Sequence, residues 1–253
     1  MGEAPKGWRA ASKMKIFVLT RGRPTEMQTT AAALSSAGIE FTFARTVGDE
    51  TEVSVPGGQD QWFDCKTAAH KRQAIYDANQ FFVMLDDDLR FYAVKKGRPI
   101  AATPGDVAGL FAYAGSLMAA HGLVGIENRL WIGSKKQPYI STPPKLHHFF
   151  GINKMLLSGK ERFDRFPGHA DIDFSLQVLS SGASVVSMTR FCHSDAGQST
   201  RKGGANLWRT KEFNDRMAQE MRAAWPGIVR LYKRNDGVTG VRINSHALKK
   251  RMP

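Results

Sequence analysis

Residues 81–91 read FFVMLDDDLRF: five apolar residues, Phe81 to Leu85, run without a polar break into three consecutive carboxylates. The run reads as a buried strand. The acids after it have two readings. Asp favours turns and helix starts, so Asp86–Asp88 fit a solvated turn. Such a turn normally mixes in Gly, Asn, Ser or Pro, and this one holds none. The alternative is that the strand delivers its terminal carboxylates to the carboxyl edge of an open α/β sheet, where ligands bind. There the repulsion among three adjacent charges is relieved by a divalent cation, alone or carrying a phosphate.

The residues before this strand support the second reading. KIFVLT (15–20) is a short apolar strand closed by RGRP. Met27, Ala31 and Leu34 follow at helical spacing, with Gly38 at the C-cap position, and 39–47 alternate as a strand does. This β-α-β opening is that of a nucleotide-binding half-sheet. Residues 48–61 read as a loop, and 64–79 as a helix bearing His70, Lys71 and Arg72. Beyond the acids, a helix is predicted from Asp106 as N-cap to Gly122, then a strand in GLVGIENRLWIG. Residues 134–148 form a Pro-rich basic loop. HADIDFSLQVLSSG predicts a helix with Ile172, Leu176 and Leu179 inward, Asp171 as N-cap and Gly182 as C-cap, before a strand ending in RFCHSD. The last predicted helix spans roughly 206–224, with Phe213, Met217 and Met221 on one face.

The chain has 253 residues and a net charge of +13, with a sequence pI near 9.9. Residues 201–253 contain 13 Lys or Arg against 4 Asp or Glu, so +9 of that charge lies in the last fifth. Interleaving with Trp208, Phe213, Trp225 and Tyr232 points to nucleic acid rather than to a plain lysine-rich tail. No stretch has the ~20 apolar residues of a membrane span. The N-terminal MGEAPKGWRAASK lacks a signal-peptide core, and Cys65 and Cys192 have no CxxC partner. A flexible leader (1–13), a cytoplasmic setting and a monomer are the expectations.

Asp171 and Asp173, at a helix start, have capping as their plain explanation, and His193 alone would be an ordinary buried histidine. Together with Asp86–Asp88 they form a set in which every member sits at the edge of an element. A carboxylate-rich site with one imidazole suits Mg²⁺ or Mn²⁺ holding a diphosphate.

The order of motifs resembles a GT-A glycosyltransferase: strand-TRGRP, basic helix, strand-DDD, GxxDxDFSLxxLxxGA, strand-xCH. The resemblance spans roughly 15–195 and implies a Rossmann-like open twisted mixed sheet flanked by helices over 14–200, with a basic C-terminal extension, 201–253, packed on it. It implies that Asp86 and Asp87 meet the nucleotide, Asp86 at its ribose. Asp88 and His193 would hold Mn²⁺ or Mg²⁺, and Asp171 would be the base, with Asp173 as the alternative because residue 170 is Ala. Thr20, Arg21, Arg23, Lys71 and Arg72 are candidates for the nucleotide and its phosphates. Arg201 and Lys202, in STRKGGAN, would close over the donor. FVLTRGRPTEMQTTAAALSSAGI and the later WPG (225–227) are further similar to the TET-associated glycosyltransferases of bacteriophages. That narrower resemblance implies transfer from a UDP-sugar to the hydroxymethyl group of 5-hydroxymethylcytosine or 5-hydroxymethyluracil in double-stranded DNA, in a phage-infected bacterial host. The base would have to be extruded to be reached. Tyr139, His147, His148 and Phe149 would replace its stacking, and Lys135, Lys136 and Lys145 would meet phosphate.

Other metal-dependent folds fit less well. A Toprim nuclease needs a Glu ending an earlier strand, and Glu40 begins one. A haloacid-dehalogenase nucleophile lies on the first strand. A nucleotidyltransferase with a related sheet, and a GT-A enzyme acting on a glycan or small acceptor, remain alternatives.

Overall fold

Alternation within the first strand explains the layering. In β1 (Lys15–Leu19), Ile16 and Val18 enter one apolar cluster, and Phe17 and Leu19 enter another on the opposite face. The computed structural model describes residues 14–130, 139–140, 146–195 and 210–251. The chain continues through α1 (Thr29–Ser36), β2 (Phe41–Thr46), β3 (Gly58–Phe63), α2 (Ala68–Ala78) and β4 (Phe81–Asp86). In β4, Phe81, Val83 and Leu85 join the cluster covered by α1, while Phe82 and Met84 join the one covered by α2. The apolar run is unbroken because helices cover both faces.

Then come β5 (Arg90–Lys95), β6 (Arg98–Ala101), α3 (Pro104–Met118), β7 (Leu123–Asn128), β8 (Tyr139–Ile140) and β9 (Phe149–Asn153). The remaining elements are α4 (Ala170–Ser180), β10 (Val185–Ser194), α5 (Lys211–Ala224), β11 (Val229–Lys233), β12 (Thr239–Ile243) and α6 (Ser245–Lys249). The result is a mixed α/β architecture with helices on both faces of one large sheet, ordered β3-β2-β1-β4-β9-β7-β10-β5-β6, with β8 beside β10. β1, β2, β3 and β4 are mutually parallel, and β7 is parallel to β10. β9 runs antiparallel between β4 and β7, and β5 and β6 close the far edge. Met221, Ile228, Val229 and Leu248 bring α5, β11 and α6 into the core cluster of α2 and α4. No helix of the described residues is long and apolar enough to cross a membrane. The leader 1–13, and the 200/201 boundary drawn from charge, lie outside the described residues.

Several expectations are corrected. Part of the supposed loop 48–61 is β3, which pairs with β2 over Gly58–Phe63 although four of its six residues are exposed on an edge. The helix expected from residue 64 begins at 68, where the Thr67 side chain caps it by accepting from His70 N. Thr103, not Asp106, caps α3. Asp106 is its N3 partner in a capping box, with Pro104 opening the helix. His169 holds the N-cap position of α4, which leaves Asp171 inside its first turn. The hairpins β5–β6 and β11–β12 had no place in the sequence reading. The first turns at Lys96 and Gly97, both with positive φ (52° and 74°), a conformation that favours glycine at the second position.

Candidate functional site

The carboxylates of the site reach it because a strand or helix begins or ends there. Leu19 of β1 lies opposite Asp86 of β4, so Thr20 and the acidic triplet emerge together at the carboxyl ends of two parallel strands. From β1 the chain turns to β2 on one side, and β4 lies on the other, so the triplet occupies the crevice where such folds bind ligands. Thr30 of α1 clamps the turn. Its N–H donates to the Asp87 carbonyl (3.1 Å), its hydroxyl to the Asp86 carbonyl (2.6 Å), and its Oγ1 accepts from Leu89 N (2.8 Å).

The charges are paired in place. Arg72 Nη2 donates to Asp86 Oδ1 at 2.6 Å, and the guanidinium lies over the Phe150 ring. Arg23 binds Asp87 and reaches Asp88 at 3.0 Å. His148 bridges two carboxylates, with Nδ1 2.6 Å from Asp86 and Nε2 3.1 Å from Asp195. It adopts a left-handed φ of 66°, a strained conformation for a non-glycine residue, of the kind held by its surroundings at functional sites. Burial lowers the pKa of His148, but hydrogen bonds to Asp195 and Asp86 outweigh it and raise it to about 10. Burial pushes Asp86 up, yet Arg72 and His148 hold it well below the usual carboxylate range. For Asp87 and Asp88 burial wins despite Arg23, and with it the neighbouring acids shift both pKa values upward.

His147 and His148 arrive by register. β9 is antiparallel to β4 with Phe149 opposite Leu85, so the residue before β9 falls beside the end of β4, and the Asp86 N–H donates to the His148 carbonyl (3.0 Å). Gly125 of β7 makes this approach possible, since a Cβ there would lie 2.6 Å from Leu146 Cδ2 and 2.9 Å from the Phe149 carbonyl oxygen. His147 Nδ1 in turn contacts Asp171 Oδ2. Burial raises the Asp171 pKa, but the charge and hydrogen bond of His147, with Arg72 and His148 beyond, hold it well below the ordinary range.

Asp173 points elsewhere. It accepts from Trp225 Nε1 (2.7 Å) and Gln177 Nε2 (2.7 Å), joining α4 to the end of α5. The two acids are thus separated, with only Asp171 in the cluster.

His193 is 1% exposed, and among the described residues neither ring nitrogen has a hydrogen-bond partner. Its ring meets that of His148 edge-on at 5.6 Å. Burial, and then the charge of His148, lower its pKa to about 3, so it is neutral. Asp88 and His193 share His148, Asp195 and Asp86 as electrostatic neighbours. Among the described residues no three His, Cys, Asp or Glu side chains converge as a ready metal shell. In chemistry the pair still fits a divalent cation: a neutral imidazole with both nitrogens unused, and a carboxylate crowded by other acids.

The remaining candidates are placed as follows. Thr20 is buried and accepts from Gln28 Nε2 at 2.7 Å. Lys71 donates to the carbonyls of Thr20 and Ala44, both at 2.8 Å, tying β1 to β2, and burial lowers its pKa to about 8. Arg21 donates to the Lys66 carbonyl at 2.7 Å. Arg201, Lys202, Lys135, Lys136 and Lys145 lie outside the described residues, as does the Tyr139 side chain. His147 and His148, read from sequence as stacking groups for a flipped base, instead bind the acids. Asp195, which pairs with His148 Nε2, is not among the residues the sequence motifs single out. Its only sequence signal was its position two residues beyond His193.

No protein-family model matches the chain, and no curated protein matches it significantly.

Proposed function

We propose that this protein is a GT-A-type glycosyltransferase that moves a sugar from a UDP-sugar to the hydroxymethyl group of 5-hydroxymethylcytosine or 5-hydroxymethyluracil in double-stranded DNA. The observation that carries the reading is the acidic triplet at the adjoining ends of β1 and β4, with His148, His193, Asp195 and Asp171 gathered around it. In this reading Asp86, fixed by Arg72 and His148, faces the ribose of the donor. Thr20, Arg23 and Asp87 line the nucleotide side. Arg21, on the rim, is available to its phosphates. Asp88 and His193 would hold Mn²⁺ or Mg²⁺, which neutralises charge developing on the diphosphate. The proton of the acceptor hydroxyl leaves toward the His147–Asp171 pair.

Support for a polyanionic acceptor comes from the C-terminal hairpin. Arg230 of β11 lies directly opposite Arg242 of β12, and like charges so placed repel. Neither has an ion pair among the described residues. Tyr232, 42% exposed, lies on the same face under Arg242 (5.3 Å), and Arg234, ion-paired with Asp236 at 3.0 Å, follows in the row. A surface that crowds cations beside an exposed ring suits phosphate and a base.

The test is mass spectrometry of hydroxymethylated duplex DNA after incubation with Mn²⁺ and a panel of nucleotide-sugars. A hexose mass added to the modified base supports the proposal. Transfer to free glycans but not to DNA would keep the GT-A reading and remove the DNA acceptor. Nucleotide incorporation would replace it with a nucleotidyltransferase.

A further inference from the structure

We infer that the groove between the end of α5 and the open edge of β11 seats one phosphodiester of the DNA, held by Arg222, Arg230 and the Leu231 N–H, and that this seat sets the register of the duplex. The inference rests on the DNA-acceptor reading above and adds one contact to it. α5 buries Met217, Ala218 and Met221, which leaves Arg222, about 100° further round the helix, at the rim of that stripe. Trp225 ends the helix, Pro226 cannot continue it, and Gly227 turns the chain toward β11 with a left-handed φ of 76°. The turn leaves an open groove of about 590 Å³, lined by Arg222, Pro226 and Gly227 from the helix end and by Arg230 and Leu231 from β11.

The ladder decides what β11 offers there. The Arg234 N–H donates to the Val238 carbonyl (2.9 Å), and the Asn244 N–H to the Ile228 carbonyl (2.7 Å). Both bonds follow the β11–β12 register, so Arg230 and Tyr232 turn their N–H and C=O groups toward β12. Those of Leu231 turn to the opposite edge, which pairs with no strand and borders the groove. The ion pairs of this part of the chain, Lys211–Asp215, Lys233–Asp215, Arg216–Glu220 and Arg234–Asp236, use neither Arg222 nor Arg230. The end of a helix is negative and repels an anion, but Arg222 in the last turn offsets it.

Two guanidinium groups and a backbone N–H around one groove are the donors that bind phosphate oxygens. An acidic peptide added as a further strand fits less well. The Val229 N–H is already given to the Trp225 carbonyl (3.0 Å). The open edge of β11 keeps only the N–H groups of Leu231 and Lys233, too few for an addition that draws its affinity from main-chain bonds. Cations on the outer face of the hairpin can shift along a DNA backbone; a phosphate in the groove cannot. The groove is also tied to the site, because Trp225, next to Pro226, donates from Nε1 to Asp173 of α4, whose first turn carries Asp171. Phosphate contacts of this kind fix the register of a protein on a duplex.

The experiment uses the full chain, Mn²⁺, the UDP-sugar that supports transfer and duplexes carrying one hydroxymethylated base. Transfer to that base defines the register. In a set of such duplexes, one phosphate at a time is replaced by a neutral methylphosphonate. Replacement at a single position should lower the wild-type kcat/KM by about tenfold or more, through KM, as expected for a lost charge-assisted contact. Arg222→Gln and Arg230→Gln should each lose a similar factor on the unreplaced duplex and be indifferent to replacement at that position, with UDP affinity unchanged. Lys249→Gln, in α6 and outside the groove, should respond to the replacement as the wild type does. A wild type indifferent to every replacement, an Arg222→Gln rate equal to that of the wild type, or an Arg222→Gln variant as sensitive to the replacement would each overturn the seat while the transferase reading stands. A flat methylphosphonate scan with Arg222-dependent binding of hexaglutamate would assign the groove to an acidic peptide instead. A wild type that transfers sugar to no duplex would remove both the seat and the DNA acceptor.

Discussion

The acidic turn after β4 and the basic hairpin β11–β12 both crowd like charges, but they relieve the crowding differently. At the turn the counter-ions are built in. Arg72, Arg23 and His148 each hold a carboxylate, and Thr30 fixes the backbone beneath them. At the hairpin Arg230 faces Arg242 with no acid between them. A site with internal counter-ions is preorganised, and a ligand gains by matching a geometry that already exists. A surface without them lowers its energy when an external polyanion arrives, so its affinity depends on salt. Precise chemistry is expected at the first and adjustable docking at the second.

The sharpest way to break this contrast is at the turn. Asp88→Ala should abolish Mn²⁺-dependent UDP binding and reduce transfer by roughly 10³-fold or more, with circular dichroism unchanged. Retained activity would remove Asp88 from the site. Next in size is the hairpin. If the basic residues neutralise four phosphates, DNA affinity should fall by roughly 150-fold between 50 and 200 mM salt. Arg230→Glu with Arg242→Glu should flatten the slope of log K against log salt by about 2 and leave UDP binding as it was. Fluorescence titration at several salt concentrations measures both, and a flat wild-type response would mean that the acceptor is not DNA.

A smaller effect sits between the two regions. Asp173→Ala leaves Trp225 Nε1 without its acceptor, while Gln177 Nε2 keeps the Arg162 carbonyl (2.7 Å), and should cost roughly 1–3 kcal/mol in urea unfolding. Unchanged stability would mean that α4 and α5 are held by packing alone. The smallest effect concerns an acid outside both regions. Glu161 accepts from Ser158 N, Ser158 Oγ and Tyr76 Oη. Burial raises its pKa, but these bonds outweigh it and leave it below the ordinary value of 4.5. Its stabilisation is therefore complete above pH 4.5 and lost as pH falls through the folded value. Glu161→Gln should lower stability at pH 7 and flatten the acid limb below 4.5, measured as the unfolding midpoint against pH. An unaltered acid limb would assign that slope to other carboxylates.

How much the sequence disclosed follows from what each element depends on. β1, α1 and β4 were legible because they are buried, and burial writes apolar periodicity into the chain. β3 was not, since an edge strand pairs through its backbone and its side chains face water. At the site, the acids were legible from strand and helix ends. The contacts of His147 and His148 with them were not, because the antiparallel register of β9 against β4 puts His148 at Asp86, and register is a long-range property. The choice between Asp171 and Asp173 had a local clue that was missed. Residues two apart on a helix point about 200° away from each other, so only one of them could face the cluster.

The order of strands in the sheet also bears on how the protein acquires its site. β5 follows β4 after three residues, yet its ladder partner across the sheet is β10, about a hundred residues later in the chain. During synthesis the β5–β6 hairpin therefore presents an unpaired edge until Val185–Ser194 has been made, and loop-closure entropy delays the pairing further. His193 and Asp195 travel with that late strand. Assembly of the acid cluster is then among the last events of folding, and an incomplete chain exposes a sticky edge without yet holding a working pocket.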